Sequence, residues 1–158
     1  MAMLKLNKFL PYRLSVLSNQ VSQGIANTYA EPFDLSVTEW RVLAILGLED
    51  GLSATDVAER SAMDKVAISR AVKRLLGAGR LTRRADLADG RAKSLWLTDE
   101  GRRVYEAIAP AAVAYEDRLL AVLSDQELVQ FNALLDRLTA HSEQLNTEAS
   151  PPASTRHD

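Results

Sequence analysis

The sequence predicts a mainly α-helical fold carrying one small β-hairpin. Three observations predict it. Apolar residues recur at steps of three or four along most of the chain. Ser-x-x-Glu capping boxes stand immediately before two of those runs. One stretch alone, 81–97, leaves the helical rhythm and changes to short extended runs around an Asp-Gly turn.

Taken in order, Leu10, Leu14, Leu17, Val21 and Ile25 line one face of a helix over 10–29. Pro11 is tolerated in its first turn, and Pro32 prevents continuation. Ser36-Val-Thr-Glu39 opens a helix of about 37–48, with Trp40, Leu43, Ala44 and Leu46 available for burial. Asp50-Gly51 marks a turn, and Ser53-Ala-Thr-Asp56 opens a short helix to about Arg60. Asp64 caps a third helix of about 65–77, which Gly77 and Gly79 end. Two short strands follow within 81–97. On the second, Lys93, Leu95 and Leu97 share one side, and Ser94 and Trp96 the other. Thr98 caps a long helix of about 99–122 with Val104, Ile108, Ala112, Tyr115 and Leu119 on one side, and Pro110 inside it predicts a kink. Ser124-Asp-Gln-Glu127 opens the last helix, on which Leu128, Phe131, Leu135, Leu138, Ser142 and Leu145 keep the same spacing. From about Thr147 the chain has too little apolar content to bury, which predicts a disordered tail.

Charge is unevenly distributed. The total is −2, but residues 60–103 hold 12 of the 19 Lys and Arg against 5 acids, a local +7 beside −9 in the remainder. A basic segment in an acidic protein suits a polyanionic partner, because the attraction is local while the rest repels.

The arrangement inside that window narrows the partner to double-stranded DNA. On a helical wheel, Ile68, Ala71, Val72 and Leu75 form one face of the 65–77 helix, and Val66, Ser69, Arg70, Lys73 and Arg74 the other. The cations suit guanine edges or phosphates, Ser69 can donate and accept, and Val66 suits a thymine methyl. A short helix precedes this one across Ser61-Ala-Met63, giving a helix-turn-helix. The hairpin follows at once, with Arg83, Arg84 and Lys93 on its arms and Asp89 and Arg91 at its tip. A hairpin beside a major-groove helix overlies neighbouring backbone, and a tip arginine suits the minor groove. Asp89 is expected to hold Arg91 in position as wing-tip support. Together these make a winged helix-turn-helix.

At this point the chain resembles the multiple-antibiotic-resistance regulator (MarR) family of bacterial transcription factors. Ile68-Ser-Arg-Ala-Val-Lys-Arg-Leu75 is similar to the family's recognition helix, and Gly79-Arg-Leu-Thr-Arg-Arg84 to the entry of its wing. Asp86-Leu-Ala-Asp-Gly-Arg91 resembles the wing tip, and Leu97-Thr-Asp-Glu-Gly101 the exit from it. One departure is Gly90, where the family usually has a second basic residue. It implies a weaker and more mobile tip.

The resemblance implies a homodimer whose N- and C-terminal helices form the dimerisation region. Apolar stripes on those helices, too extensive for the small winged core to cover, agree with it. The implied division is an N-terminal dimerisation segment (1–35), a winged helix-turn-helix domain (36–98), C-terminal dimerisation helices (99–146) and the tail (147–158). It also implies a ligand-responsive repressor of a pseudo-palindromic operator, released by a small aromatic acid or its coenzyme A thioester. By helix position, the implied ligand-binding residues are Arg13, Tyr29, Trp40, Arg41 and Tyr115.

Other classes fit less well. The chain has no cysteine and only two histidines, so thiolate and histidine-rich metal sites are excluded, as is a cysteine redox switch, and no cofactor is expected. It carries no P-loop, dinucleotide glycine fingerprint or HExxH, so no enzyme is expected. No stretch reaches the roughly 18 apolar residues of a membrane span, and the N-terminus lacks a signal-peptide pattern, so a cytoplasmic protein without a membrane partner is expected. The alternative is a winged-helix protein-interaction module without sequence-specific DNA binding, against which the +7 window argues.

Overall fold

The computed structural model describes residues 4–85 and 93–149. Local side-chain caps set most helix starts. Ser36 Oγ accepts from the Glu39 N–H at 3.2 Å while the Glu39 carboxylate accepts from the Ser36 N–H at 2.8 Å, which starts α3 (Val37–Leu48). Ser53 and Asp56 do the same for α4 (Ala54–Ser61), and Asp64 accepts from the Ala67 N–H to start α5 (Lys65–Gly77). Thr98 Oγ1 accepts from the Gly101 N–H at 3.0 Å ahead of α6 (Asp99–Leu120), and Ser124 and Glu127 box the start of α7 (Asp125–Ala149). Such caps satisfy backbone donors that the first turn leaves without partners.

The N-terminal stretch departs from the expected single helix over 10–29. After one 3-10 turn at Leu6–Lys8, α1 runs only Leu10–Ala26, and a four-residue α2 follows at Ala30–Phe33. Thr28 Oγ1 donates to the Ile25 carbonyl at 2.7 Å and helps turn the chain between them. Pro32 therefore does not stop α1. It sits in the first turns of α2, where its missing N–H costs little. At the other end, α6 runs through Pro110 as one helix, and α7 continues to Ala149, past the expected limit of 146. Residues 150–158, within the expected tail, lie outside the described residues.

The chain forms two compact units, residues 1–115 and 116–158. The core of the first is built from the apolar faces of α3, α4, α5 and the start of α6: Val42, Leu43, Leu46, Val57, Ile68, Val72, Leu75, Val104 and Ile108 are all buried. Strands β1 (Leu81–Ala85) and β2 (Lys93–Leu97) pair antiparallel, with Leu81 opposite Leu97 and Arg83 opposite Leu95. The free edge of β2 is held in turn by Leu52, through the Leu95 N–H to the Leu52 carbonyl at 2.8 Å and the Gly51 N–H to the Leu95 carbonyl at 2.9 Å. Asp50 accepts from the Leu97 N–H at 2.8 Å and pairs with Arg102, tying the end of β2 and the start of α6 to the α3–α4 connection. The base of the ribbon is therefore braced on both sides. In the second unit, α7 shows Phe131, Leu134, Leu135, Leu138 and Leu145 exposed. Among the described residues no helix is long and apolar enough to cross a membrane.

The turn into α6 depends on a missing side chain. A Cβ at Gly101 would lie 2.0 Å from the Arg80 carbonyl oxygen, which is backbone already accepting from the Thr98 N–H. Gly101→Ala should therefore cost about 1–3 kcal/mol of stability. Urea unfolding checks it, and a wild-type midpoint would mean that this turn opens without strain.

Candidate nucleic-acid interface and a helix-lined pocket

The recognition surface begins with the amphipathic division of α5. Ile68, Ala71, Val72 and Leu75 are buried, so the helix is held from one side. Val66, Ser69, Arg70, Lys73 and Arg74 are all exposed on the other. Arg70 and Lys73 have no ion-pair partner among the described residues, which leaves their donors for an outside acceptor. Arg74 differs: its Nε lies 3.0 Å from Oε1 of Glu39, whose side chain is only 4% exposed. The wheel placed Arg74 on the outer face correctly, but nothing local in the sequence signals that pairing.

The ribbon separates the three wing cations that are described. Its register puts Arg83 and Lys93 on the face that continues Leu81, Leu95 and Leu97, whereas Arg84 lies on the other face with Thr82, Ser94 and Trp96. The Arg84 guanidinium sits 4.4 Å from the Trp96 ring centroid, a cation–π contact. Trp96 is itself fixed, donating through Nε1 to Ser94 Oγ at 2.9 Å and packing on Gly51. Gly51 has φ +86°, and an added Cβ would meet the indole at 3.0 Å, so backbone conformation and space both call for glycine there. Asp89, Gly90 and Arg91, the expected wing tip, lie outside the described residues.

Apart from this surface, α1 and α3 form a partly open pocket of about 130 Å³ lined by Ser22, Ile25, Tyr29, Val37, Trp40, Arg41 and Ala44. Three of the five expected ligand residues are here. Tyr29 is 1% exposed, and its hydroxyl is a buried polar atom without a hydrogen-bond partner among the described residues. Burial pushes the phenol up to about 12, an effect that Arg41 partly offsets, so it stays protonated and able to donate across the physiological range. Its ring lies 5.5 Å from Trp40, which stacks in turn on Tyr105 at 6.1 Å. Arg41 donates to Ser22 Oγ at 3.3 Å and to the Ser61 carbonyl at 3.2 Å, the second at the end of α4 where the chain turns toward α5. That turn passes through Ala62 in the left-handed region, at φ 52°.

The structure does not bring Arg13 or Tyr115 to this cavity. Arg13 is exposed on α1, nine residues before Ser22, a displacement of about 14 Å along a helix. Tyr115 lies against Gly24 instead: a Cβ there would fall 2.1 Å from its hydroxyl, so glycine makes room for the ring. The sequence reading missed Tyr105, Ser22 and Ser61, because their relation to the cavity arises from packing between distant segments.

A family model described as MarR family matches residues 33–92, from the end of α2 to the residue before β2. An HTH-type transcriptional repressor of Mycobacterium tuberculosis is 28% identical over 131 residues, covering 82% of this chain and 91% of the relative. A MarR family transcriptional regulator from Silicibacter pomeroyi DSS-3 superposes with a TM-score of 0.74 at 30% identity, over 87% of this chain and 98% of that one. The PcaV transcriptional regulator from Streptomyces coelicolor, solved in complex with its natural ligand, superposes with a TM-score of 0.72 at 28% identity, over 90% of this chain and 99% of that one. Shared from α1 to the C-terminal helix in both residue identity and architecture, these likenesses establish that the chain belongs to the MarR family of DNA-binding transcriptional regulators and is not an enzyme.

Proposed function

We propose that this regulator is a repressor that binds a pseudo-palindromic operator as a homodimer and releases it when a small aromatic acid enters the α1–α3 cavity. The outer face of α5, with Val66, Ser69, Arg70, Lys73 and Arg74, enters the major groove, and Arg83, Arg84, Lys93 and Arg91 flank it on the backbone and minor groove, with Asp89 supporting the tip. A second copy covers the exposed apolar residues of α1 and α7, among them Leu10, Leu14, Leu17, Phe131, Leu135 and Leu138. Two-fold symmetry then sets the two reading helices about 34–36 Å apart, one turn of B-DNA.

The observation that carries the effector reading is the α1–α3 pocket itself, where Tyr29, Trp40 and Arg41 line one space. The Tyr29 hydroxyl has no hydrogen-bond partner among the described residues, and buried polar atoms are nearly always satisfied, by a ligand or by ordered water. The walls indicate the ligand's chemistry. Tyr29 and Trp40 offer ring faces and Arg41 a guanidinium, which suits a flat ring bearing a carboxylate. At about 130 Å³ the pocket is slightly smaller than the roughly 150 Å³ that holds benzene, so an aromatic acid fits only with part of it outside or with the walls moved apart. The pocket is too small for a coenzyme A moiety, which would remain outside. PcaV, with its natural ligand, and the mycobacterial repressor support the reading by their likeness.

The test is thermal unfolding with benzoate, hydroxybenzoates and benzoyl-coenzyme A, followed by mobility shift on a duplex selected by the protein from a random pool. An effector at about 100 times its Kd should raise the midpoint by roughly 5–10 °C, and should weaken the shifted complex. Stabilisation without loss of the complex would separate ligand binding from release, and no stabilisation by any aromatic acid would remove the effector reading.

A further inference from the structure

We infer that Glu39 is a positioning residue for DNA recognition: its buried carboxylate grips Arg74 at Nε and holds the outer edge of that guanidinium toward a DNA phosphate. The inference rests on the proposed placement of the outer face of α5 against DNA.

Glu39 is more than a helix cap. Three Ser-x-x-acid boxes start helices in this chain, at Ser36, Ser53 and Ser124. Asp56 and Glu127 complete their boxes while exposed, and neither has an ion pair among the described residues. Glu39 alone of the three is buried, and it alone meets a cation from another helix. One carboxylate oxygen accepts from the Ser36 N–H at 2.8 Å, and the other lies 3.0 Å from Arg74 Nε. A buried carboxylate is costly without a paired cation, which favours keeping Arg74 beside Glu39.

What this does to Arg74 follows from guanidinium geometry. The group is planar and rigid, with five N–H donors. Nε is the atom in ion-pair contact with Glu39, and the side chain is still 64% exposed, which leaves the guanidinium open to an outside acceptor. Arg74 and Arg70 are four residues apart on α5 and project on the same side. An arginine already fixed in place loses less freedom when it meets a phosphate, and a fixed phosphate contact sets the register of the helix on the duplex. A free cation at the same position attracts any backbone phosphate and sets no register. The pair therefore contributes to discrimination between sequences.

The experiment compares Glu39→Gln, Arg74→Ala, Arg74→Lys and the double variant Glu39→Gln/Arg74→Ala. Each is titrated against the duplex selected by the wild-type protein and an unselected duplex of equal length. Glu39→Gln should lose affinity for the selected duplex by about 10-fold, with little change on the unselected one. The double variant should bind no worse than Arg74→Ala. Arg74→Lys should share the loss of discrimination, because one ammonium cannot serve carboxylate and phosphate as a fork does, and it keeps the test available should Glu39→Gln unfold. A wild-type ratio of affinities in Glu39→Gln or Arg74→Lys, or losses from Glu39 and Arg74 that add, overturns the proposal. Wild-type affinity in Arg74→Ala overturns it too. Only if Arg70→Ala is also without effect does the reading of the α5 face fail with it.

Discussion

Raising monovalent salt from about 50 to about 200 mM should weaken operator binding by about four orders of magnitude. Each phosphate neutralised by a Lys or Arg releases condensed counterion, and the free energy of that release falls with the logarithm of salt. Each protomer offers exposed Lys65, Arg70, Lys73, Arg74, Arg83, Arg84 and Lys93 among its described residues. Not all of them can reach backbone. Arg83 and Arg84 lie on opposite faces of the ribbon, so one helix–wing docking does not present both alike. About four phosphates per protomer, eight per dimer, give a slope of log K against log salt near −7. Fluorescence anisotropy at several salt concentrations reads that slope directly. A value shallower than about −3 would leave room for only one protomer on the duplex. Within the same series, Arg70→Ala should cost roughly 1–3 kcal/mol and relax sequence preference if it reads a base, whereas a phosphate role would leave preference intact and lower the slope by about two, one contact from each protomer.

Arg41→Gln should abolish most effector binding, a loss of about 2–4 kcal/mol in affinity for an aromatic carboxylate. Arg41 is the cationic side chain in the pocket lining, which it shares with Tyr29 and Trp40. A carboxylate entering there loses water and needs a charged partner to replace it. Glutamine retains a donor but not the charge. Isothermal titration with benzoate measures the change, and titration of the selected duplex without benzoate serves as the control. Wild-type benzoate affinity in the variant would exclude Arg41 as the carboxylate partner. The substitution also removes the hydrogen bond to the Ser61 carbonyl, so a stability loss of about 1 kcal/mol should accompany it.

Most of the secondary structure is readable from residues that lie close together. Ser36 and Glu39, Ser53 and Asp56, and Ser124 and Glu127 are each three residues apart, and they start α3, α4 and α7 in the structure as the pattern implies. The buried and exposed faces of α5 follow from helical periodicity alone, because 3.6 residues per turn turns spacing into direction. The break between α1 and α2 was not readable: apolar spacing continued to Ile25, and Pro32 suggested a stop later than the turn that follows Ala26.

Composition and order alone therefore determined a basic helix-turn-helix with a hairpin in an acidic chain, since helix periodicity, capping and local charge act within a few residues. Packing between distant segments decided the rest. It brought Tyr29 beside Trp40 and Arg41, moved Tyr115 onto Gly24 and left Arg13 outside. It also turned Arg84 onto Trp96 and gave Arg74 to a buried Glu39 on another helix. Such contacts depend on which apolar faces close on one another, and no short-range pattern carries that information.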